Sequence, residues 1–283
     1  MTVIVTGSET AMGTAILRRL MDKGIAVHPI LSGDCHLLHS RPLSHARLLI
    51  HAARFACLQT CAEAPQASHA MLGAMEQVTQ WGLDTESPVL ALSSCLILKS
   101  QPPERLTSRS PVAPLTPLTQ SLADCERYLM TRHPQSIVLR LGWRLTSNRD
   151  GWLHRILTTL SAHEPVPAPE DSRCSPVCED DVARVVTAMT QQILCGAQCW
   201  DVYHYGGVED VSVRELVRYI QETAHIEGTL NFVQNTENSP RLPAWSHTSS
   251  KKLRDDFGIQ ARPWRRDLGA QVERVLRHLN AQT

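Results

Sequence analysis

The sequence predicts an α/β fold: a Rossmann-like doubly wound parallel sheet with a smaller C-terminal α/β substrate lobe. The first observation is a short β-branched run at residues 3–5, typical of a buried parallel strand, which leads into a glycine-bearing turn and a helix. The second is the alternation of strand and helix patterns through residue 143. The third is that the later residues mix short strands and helices without a second glycine-rich turn. We therefore divide the chain into a Rossmann-type domain (residues 1–145) and an interleaved lobe (residues 146–283).

Each element follows from a local pattern. Gly24 and Gly82 are expected to end the helices before them, because glycine is common just past a helix end. Residues 101–117 carry five of the 17 prolines and predict a stiff loop. Residues 32–46 are short and irregular, so one helix of the usual alternation is expected to be missing. The other expected strands are residues 25–31, 47–51, 88–98 and 136–143, and the expected helices are residues 14–21, 67–81, 118–131, 151–162, 179–194 and 212–224.

The composition excludes several functional classes. The 283 residues include 28 basic and 28 acidic side chains, and no block of five like charges occurs, so nothing indicates nucleic acid or an anionic membrane surface as a partner. No apolar run approaches the roughly 20 residues that cross a bilayer. The first strand begins by residue 3, which predicts no signal peptide and a cytoplasmic location.

The nine cysteines raise the question of zinc, because three pairs have C-x-x-x-C spacing, which puts both thiols on one face of a helix. No spacing in the chain supplies four ligands, and no His-x-x-x-His follows any pair. We therefore expect no metal site and reduced cysteines that pack as small apolar residues. The three pairs are Cys57/Cys61, Cys174/Cys178 and Cys195/Cys199.

Seven stretches in order resemble the extended short-chain dehydrogenase/reductase family, and within it the dTDP-4-dehydrorhamnose reductase branch. They are TGSETAMG, LLIHAARFACLQTCAEA, LALSSCLIL, SIVLRLGW, SPVCEDDVARVV, VYHYGGVEDVSVRELVRYI and RLPAWSHTSSKKLRDDFGI. The branch also contains the regulatory β subunit of methionine adenosyltransferase. The resemblance implies an NAD(P) site in the N-terminal half and a sugar-nucleotide lobe at the C-terminal side.

The family turn is T-G-x-x-G-x-x-G, and this chain keeps Gly7 and Gly13 but carries Thr10 at the middle glycine. The middle glycine lets the backbone approach a pyrophosphate, whereas threonine adds a β-branched side chain and disfavours positive φ. The second strand ends at Leu31 instead of a charged residue that would hold the adenosine ribose. The resemblance implies NADP or NAD, and these changes predict that binding is weak or lost. The residues expected to line the cofactor site are Gly7, Ser8, Thr10, Met12, Gly13, Ala52, Ala53 and Ser93.

In the family a tyrosine donates a proton to the substrate carbonyl, a lysine four residues later lowers the tyrosine pKa, and a serine or threonine orients the carbonyl. The resemblance assigns the serine to Ser94, with its neighbour Ser93 as the alternative. It places Leu118 and Leu122 at the tyrosine and lysine positions, where their i, i+4 spacing predicts packing on one apolar face. Tyr128 lies ten residues beyond Leu118, about 15 Å along the helix, which is too far to replace the tyrosine.

The resemblance implies substrate contacts from Arg140, Ser175 and Arg241, with a solvated basic surface as the alternative for Arg241. Asp180 and Asp181 are expected to cap the helix that follows them. The implied ligand is a nucleotide sugar, and the sequence leaves open a protein partner or a homodimer.

Three functions remain open at this point. The first is a reductase-like protein without the Tyr-x-x-x-Lys pair, which binds a nucleotide or sugar nucleotide or regulates a partner without catalysis. The second is an active NAD(P)H-dependent reductase of 4-keto sugar nucleotides with a non-standard proton donor. The third is a partner-binding scaffold with an empty cleft.

Overall fold

The computed structural model describes residues 2–39, 43, 45–52, 65–99, 105–149, 151–168, 172–233 and 245–280. Its strands, numbered along the chain, are β1 (Thr2–Thr6), β2 (Ala26–Ile30), β3 (Ala46–His51), β4 (Val89–Ser94), β5 (Ser136–Leu141), β6 (Trp143–Leu145), β7 (Arg173–Cys174), β8 (Pro176–Cys178), β9 (Val202–Tyr205), β10 (Val211–Ser212) and β11 (Trp245–Ser246). Its helices are α1 (Ala11–Asp22), α2 (Pro65–Asp84), α3 (Pro117–Arg132), α4 (Trp152–Ser161), α5 (Glu179–Leu194), α6 (Val213–Thr223), α7 (Lys251–Phe257) and α8 (Arg265–Asn280). Two 3₁₀ helices cover Ser32–Leu38 and Cys95–Ile97 in these described ranges.

The main sheet has six parallel strands in the order β2-β1-β3-β4-β5-β9, which confirms the predicted α/β fold. The order reverses between β1 and β3, so a crevice opens at the carboxyl ends of these two strands, where doubly wound proteins bind ligands. The connection from β2 to β3 contains the 3₁₀ helix Ser32–Leu38, and its described residues form no α-helix. The expected loss of one helix is therefore seen in the described part of this connection.

The sheet is buried on both faces because helices cover each side. Helix α1 packs on α5 over one face, and α2 packs on α3 over the other. Alternate residues of a strand point to opposite faces, so Leu48 and Ile50 of β3 join the α1/α5 side of the core, whereas Leu49 joins the α2/α3 side. Strands that are covered on both faces have continuous apolar runs in their sequence. This is why β3 and β4 were recognisable from the sequence.

The C-terminal lobe has its own apolar core between α4, α6 and α8 and two small sheets, β10-β7-β11 and β6-β8. Trp143 and Trp152 meet edge to face with ring centroids 5.1 Å apart, and Tyr219 and Trp264 do the same at 5.1 Å. Strand β9 and helix α5 come from the C-terminal half of the chain and pack into the large sheet layer.

Three expected boundaries differ in the structure, two of them because of close packing at a glycine. Helix α2 continues through Gly82 to Asp84, and a Cβ on Gly82 would lie 2.5 Å from His133 Nε2, so this glycine serves helix packing and does not end the helix. The strand expected at residues 136–143 is interrupted at Gly142, where a Cβ would lie 2.2 Å from the carbonyl oxygen of Ser175. The strand expected at 88–98 ends at Ser94, because its next residues form a 3₁₀ helix.

The expected capping by the two aspartates is wrong. Cys178 is the N-cap of α5, and both aspartates lie inside its first turn. Asp181 accepts hydrogen bonds from Arg184 and from the Tyr205 hydroxyl, and Asp180 pairs with Arg274. Their charges still favour the positive end of the helix dipole. Among the described helices, none combines the length and apolar character needed to span a membrane.

Candidate functional site

The crevice between β1 and β3 begins with a buried polar pair. The Thr6 hydroxyl lies 2.7 Å from Nδ1 of His51, and both residues end their strands. Burial lowers the pKa of His51 to about 4, so its imidazole is neutral at physiological pH. The amide of Ala52 donates to the Thr6 carbonyl at 3.0 Å, which fixes the expected small-residue floor of the crevice. Ala53 lies outside the described residues.

Two glycines shape the turn that follows β1. Gly7 has φ of +74°, a conformation that residues with a side chain rarely adopt. A Cβ on Gly13 would lie 2.1 Å from the Gly7 carbonyl oxygen, so α1 can pack this close to the turn only with glycine here. The geometry of the strand, turn and helix thus accounts for both residues whether or not a cofactor binds.

Thr10 is the N-cap of α1 and has φ of −72°, so its β-branched side chain causes no backbone strain. Its hydroxyl accepts a hydrogen bond from the Gly13 amide at 2.9 Å and donates one to the Gly7 carbonyl at 2.8 Å. The hydroxyl therefore caps the helix from within the turn and satisfies a backbone donor at the helix start.

Two further amides beside the turn donate to side chains of the chain itself. Oδ1 of Asn148 accepts from the Ala11 amide at 3.2 Å. Both carboxylate oxygens of Glu9 accept from the Ser32 amide at 3.1 Å, just beyond the end of β2. Asn148 was not recognisable from the sequence, because 137 residues separate it from Ala11 and no local motif marks it.

The segment that carries Asn148 is anchored by a buried carboxylate. Glu179, at the start of α5, accepts from the Ser147 hydroxyl at 2.7 Å and from the Ser147 amide at 3.3 Å. Glu179 is 3% exposed, and this burial raises its pKa. Arg274 lies 3.9 Å away and partly balances the charge. The acceptor on Asn148 is thus held in place over the α1 N-terminus.

The other residues expected at the cofactor site divide between core and crevice. Met12 is 4% exposed and packs in the main apolar core. Ser8 is held by its backbone, because its amide donates to the Ile30 carbonyl at 3.1 Å and its carbonyl accepts from the Thr14 hydroxyl. Leu31 follows β2 with half of its surface exposed and offers no charged group there.

The two serines at the end of β4 have different surroundings. Oγ of Ser94 accepts from the Leu96 amide at 3.2 Å and caps the short 3₁₀ helix. The Ser93 hydroxyl is buried without a hydrogen-bond partner in the described part of the chain. It borders a small cavity of about 20 Å³ together with His51, Leu122 and Glu126. No tyrosine or lysine is among the described residues that line this space.

Leu118 and Leu122 are 2% and 5% exposed and belong to the main apolar core, as their spacing predicted. The same core includes Ile97 and Leu98, just beyond Ser94. Tyr128, farther along α3, stacks against the guanidinium of Arg132 at 4.7 Å from its ring centroid. Both leucines therefore present only apolar groups to the core around them.

The two described residues that were expected to contact substrate are buried. Arg140 is 5% exposed, and its Nη2 lies 2.6 Å from a carboxylate oxygen of Glu126, so its charge is balanced inside the core. Ser175 is fully buried, and its Oγ accepts from the Thr248 amide at 3.2 Å. Both side chains are therefore satisfied by partners inside the protein. Arg241 lies outside the described residues.

The described cysteines are free, and burial places most of them in the apolar core. Burial raises the pKa of Cys35 to about 11, which keeps its thiol protonated. Within the described ranges, no three His, Cys, Asp or Glu side chains come together as a metal site. Cys35, Cys95, Cys125, Cys174 and Cys178 are the buried thiols.

The parallel sheet, the glycine turn at its switch point and the interleaved lobe define a protein of the extended short-chain dehydrogenase/reductase type. A family model described as the RmlD substrate binding domain matches residues 1–277. The chain belongs to this family.

The relatives have low sequence identity to this chain, and the solved structures among them have closely similar folds. The dTDP-4-dehydrorhamnose reductase of Aggregatibacter actinomycetemcomitans is 22% identical over 285 residues, which cover 94% of this chain and 96% of that protein. The crystal structure of a dTDP-4-dehydrorhamnose reductase from Clostridium acetobutylicum has a TM-score of 0.82 at 16% identity and covers 96% of this chain and 99% of its own. The enzyme of the same name from Bacillus anthracis, in complex with NADP, has a TM-score of 0.78 at 15% identity, with 98% of each chain covered.

Proposed function

We propose that this protein is a member of the reductase family that does not carry out the family's hydride transfer and acts as a nucleotide-binding or regulatory protein. The observation that carries the proposal is the burial of Leu118 and Leu122 in the apolar core. A ketone gains hydride only if a proton donor meets the developing oxyanion. Neither leucine has an ionisable group, and no tyrosine or lysine borders the space beside Ser93 in the described chain.

The turn after β1 supports the same proposal. A pyrophosphate at a helix N-terminus is held by backbone amides that point at it. In this chain the Ala11 and Gly13 amides already donate to Asn148 and Thr10. A dinucleotide would have to displace these acceptors and would also meet the carboxylate of Glu9 near Ser32. The residues present therefore fit a dinucleotide poorly, and we expect weak or absent NAD(P) binding.

An active NAD(P)H-dependent reductase of 4-keto sugar nucleotides is the second candidate. The observations that favour it are Ser94 at the end of β4, the turn with Gly7 and Gly13, and a relative of the same fold in complex with NADP. This candidate requires a proton donor other than the usual tyrosine, and no tyrosine or lysine lines the space beside Ser93 in the described chain. A scaffold that binds a protein partner and leaves the crevice empty is the third candidate.

Calorimetric titration with NADPH and NADH, combined with a turnover assay on a 4-keto sugar nucleotide, separates the non-catalytic protein from the active reductase. We expect no turnover and weak or undetectable binding for the unmodified chain. The Thr10→Gly/Asn148→Ala variant frees two amides and is expected to bind NADPH about tenfold more tightly, since hydrogen bonds to a charged group contribute about 1.5–3 kcal/mol.

The control is Thr119→Ala, which changes a capping threonine on α3 away from the turn. This control is expected to leave NADPH affinity unchanged. Turnover by the unmodified chain would contradict the proposal and favour the active reductase. Tight NADPH binding without turnover would retain the non-catalytic function and reject only the inference about the occupied amides.

A further inference from the structure

The small cavity beside Ser93 has a lining that is mostly apolar. Its walls are formed by side chains of α2, α3 and the main sheet, and Leu122 and Val138 are among them. A hydroxyl, an imidazole and a carboxylate also border the cavity, and they belong to Ser93 on β4, His51 on β3 and Glu126 on α3. Three hydrogen-bonding side chains from three different elements therefore meet at one small space.

The Ser93 hydroxyl lacks a partner within the described part of the chain. The residue is 2% exposed, and its Oγ forms no hydrogen bond to any described residue. Its neighbour Ser94 differs, because Oγ of Ser94 accepts from the Leu96 amide. Burial of a hydroxyl without a hydrogen bond is unfavourable, so buried hydroxyls in folded proteins are usually paired with a protein group or with ordered water. The cavity that Ser93 borders is where such a partner can lie.

Glu126 and His51 can each form a further hydrogen bond. Arg140 donates to both carboxylate oxygens of Glu126, with Nη2 at 2.6 Å from one and Nε at 3.1 Å from the other. Each carboxylate oxygen can accept two hydrogen bonds, so acceptor capacity remains. Nδ1 of His51 is paired with the Thr6 hydroxyl, which leaves Nε2 as its second hydrogen-bonding atom. This nitrogen donates or accepts according to the tautomer of the neutral ring.

The size of the cavity and the chemistry of its polar groups together identify the ligand as water. One water molecule needs a cavity of about 10–15 Å³, and this cavity has a volume of about 20 Å³. Pockets for small organic molecules are far larger, at about 300–1,000 Å³. Water has two donors and two acceptors, so it can match a hydroxyl, a carboxylate and either tautomer of an imidazole. Buried waters typically form about three hydrogen bonds, which is the number of polar side chains at this cavity.

We propose that the cavity binds one ordered water molecule, which accepts a hydrogen bond from Ser93, donates one to Glu126 and pairs with Nε2 of His51. With this water, a continuous hydrogen-bonded row runs along the carboxyl end of the main sheet, from Thr6 on β1 to His204 on β9. The water thereby connects side chains of five strands through α3. This inference goes beyond the proposed function and holds whether or not the chain transfers hydride.

The direct test is a high-resolution crystal structure of the full chain and of the Ser93→Ala variant. We expect electron density for a water molecule about 2.5–3.0 Å from Oγ of Ser93, the usual range for O–H···O hydrogen bonds. In the variant this density should shift or disappear, because one of the three partners is removed. An empty cavity in the unmodified chain would overturn the proposal.

Urea unfolding of Ser93→Ala provides an independent test, because the direction of the effect depends on the water. If the hydroxyl is paired with water, alanine removes a satisfied hydrogen bond and raises the unfolding equilibrium constant about fivefold. If the hydroxyl is unpaired, alanine relieves an unfavourable burial and lowers this constant. A lower constant would therefore overturn the proposal.

Thr187→Val is the matched control for the unfolding measurement. The Thr187 hydroxyl on α5 is also buried without a hydrogen-bond partner among the described residues, and Thr187 does not line this cavity. Valine removes the hydroxyl and keeps the shape of the side chain, so the unfolding equilibrium constant is expected to stay the same or fall. An equal rise in both variants would overturn the proposal, because the effect would then not depend on the cavity.

Discussion

Thr10 and Asn148 reduce the number of backbone amides that the turn after β1 can offer to a ligand. Each places an oxygen acceptor on an amide of the α1 N-terminus, at 2.9 Å and 3.2 Å. Thr10 acts within the turn and is visible as a departure from the family pattern. Asn148 acts from a distant segment held by Glu179. The two residues together satisfy donors that a bound phosphate would otherwise satisfy.

Leu118 and Leu122 carry the residue-scale prediction about catalysis. We expect the Leu118→Tyr/Leu122→Lys variant to show almost no NADPH-dependent turnover of a 4-keto sugar nucleotide, because Thr10 and Leu31 still limit the cofactor site. The introduced lysine would also enter a position that is 5% exposed, where desolvation disfavours its charged form. Leu118→Phe/Leu122→Met is the control, because it changes shape without adding ionisable groups. Robust turnover by the tyrosine and lysine variant, absent in the control, would show that the cofactor site is functional.

At the scale of elements, the contact between β1, its turn and α1 determines the geometry of the whole crevice. Helix α1 approaches the turn so closely that position 13 has no room for a side chain. The same helix packs on α5, whose first residue, Glu179, anchors the segment with Asn148. One glycine thus supports both the turn and the position of a second element.

Gly13→Ala is expected to lower the free energy of unfolding by about 3 kcal/mol, because overpacking against rigid backbone at 2.1 Å forces the helix to move. Gly73→Ala is the matched control, since Gly73 also lies inside a helix but has no atom within 4 Å of an added Cβ. We expect this control to stabilise the protein by about 0.5–1 kcal/mol, as alanine favours helix. Urea unfolding of both variants measures the difference, and an equal effect in both would contradict the packing argument.

At the scale of the whole molecule, the carboxyl side of the main sheet carries a row of buried polar side chains on its α2/α3 face. The register pairs Ser93 with Arg140 and Arg140 with His204 across β4, β5 and β9. Nη1 of Arg140 lies 3.4 Å from Nε2 of His204, and Glu126 balances the guanidinium. Burial, and then the Arg140 charge, lower the pKa of His204 to about 3.

His51 and His204 are buried with neutral imidazoles, so we expect the free energy of unfolding to fall in mild acid. The unfolded chain binds protons on both imidazoles below pH about 6.5, whereas the folded chain binds them only near pH 4 and 3. The free energy of unfolding should therefore be unaffected by these groups above pH 6.5 and fall by about 1.4 kcal/mol per pH unit for each histidine between pH 6 and 4.5. Urea unfolding across pH 5–7.5 measures this slope.

His51→Asn keeps a hydrogen-bonding side chain beside the Thr6 hydroxyl and removes one titrating group. Its slope between pH 6 and 5 is expected to be smaller than that of the unmodified chain by about 1.4 kcal/mol per pH unit. A slope identical to that of the unmodified chain would show that His51 is not the origin of the acid sensitivity.

Much of the fold was predictable because buried parallel strands carry their signal locally. The apolar runs of β1, β3, β4 and β5 stand out in the sequence, and the lack of an α-helix among the described residues between β2 and β3 follows from the shortness of the connection. Boundaries set by close packing were not predictable. Gly82 looked like a helix end, yet it lies within α2 where His133 approaches, since a glycine that makes room for a neighbour looks the same as one that ends a helix.

The sequence by itself determined the α/β class and the family, and it carries the prediction that two leucines stand in place of the tyrosine and lysine, because each depends on residue type and local order. The tertiary structure alone decided that Asn148 caps α1, that Arg140 and Ser175 are enclosed, and that Ser93 and Glu126 border one cavity. Those facts depend on which distant segments meet. Residue type determines which hydrogen bonds and ion pairs a side chain can form. Folding determines which partner it meets and whether water or a ligand can still reach it.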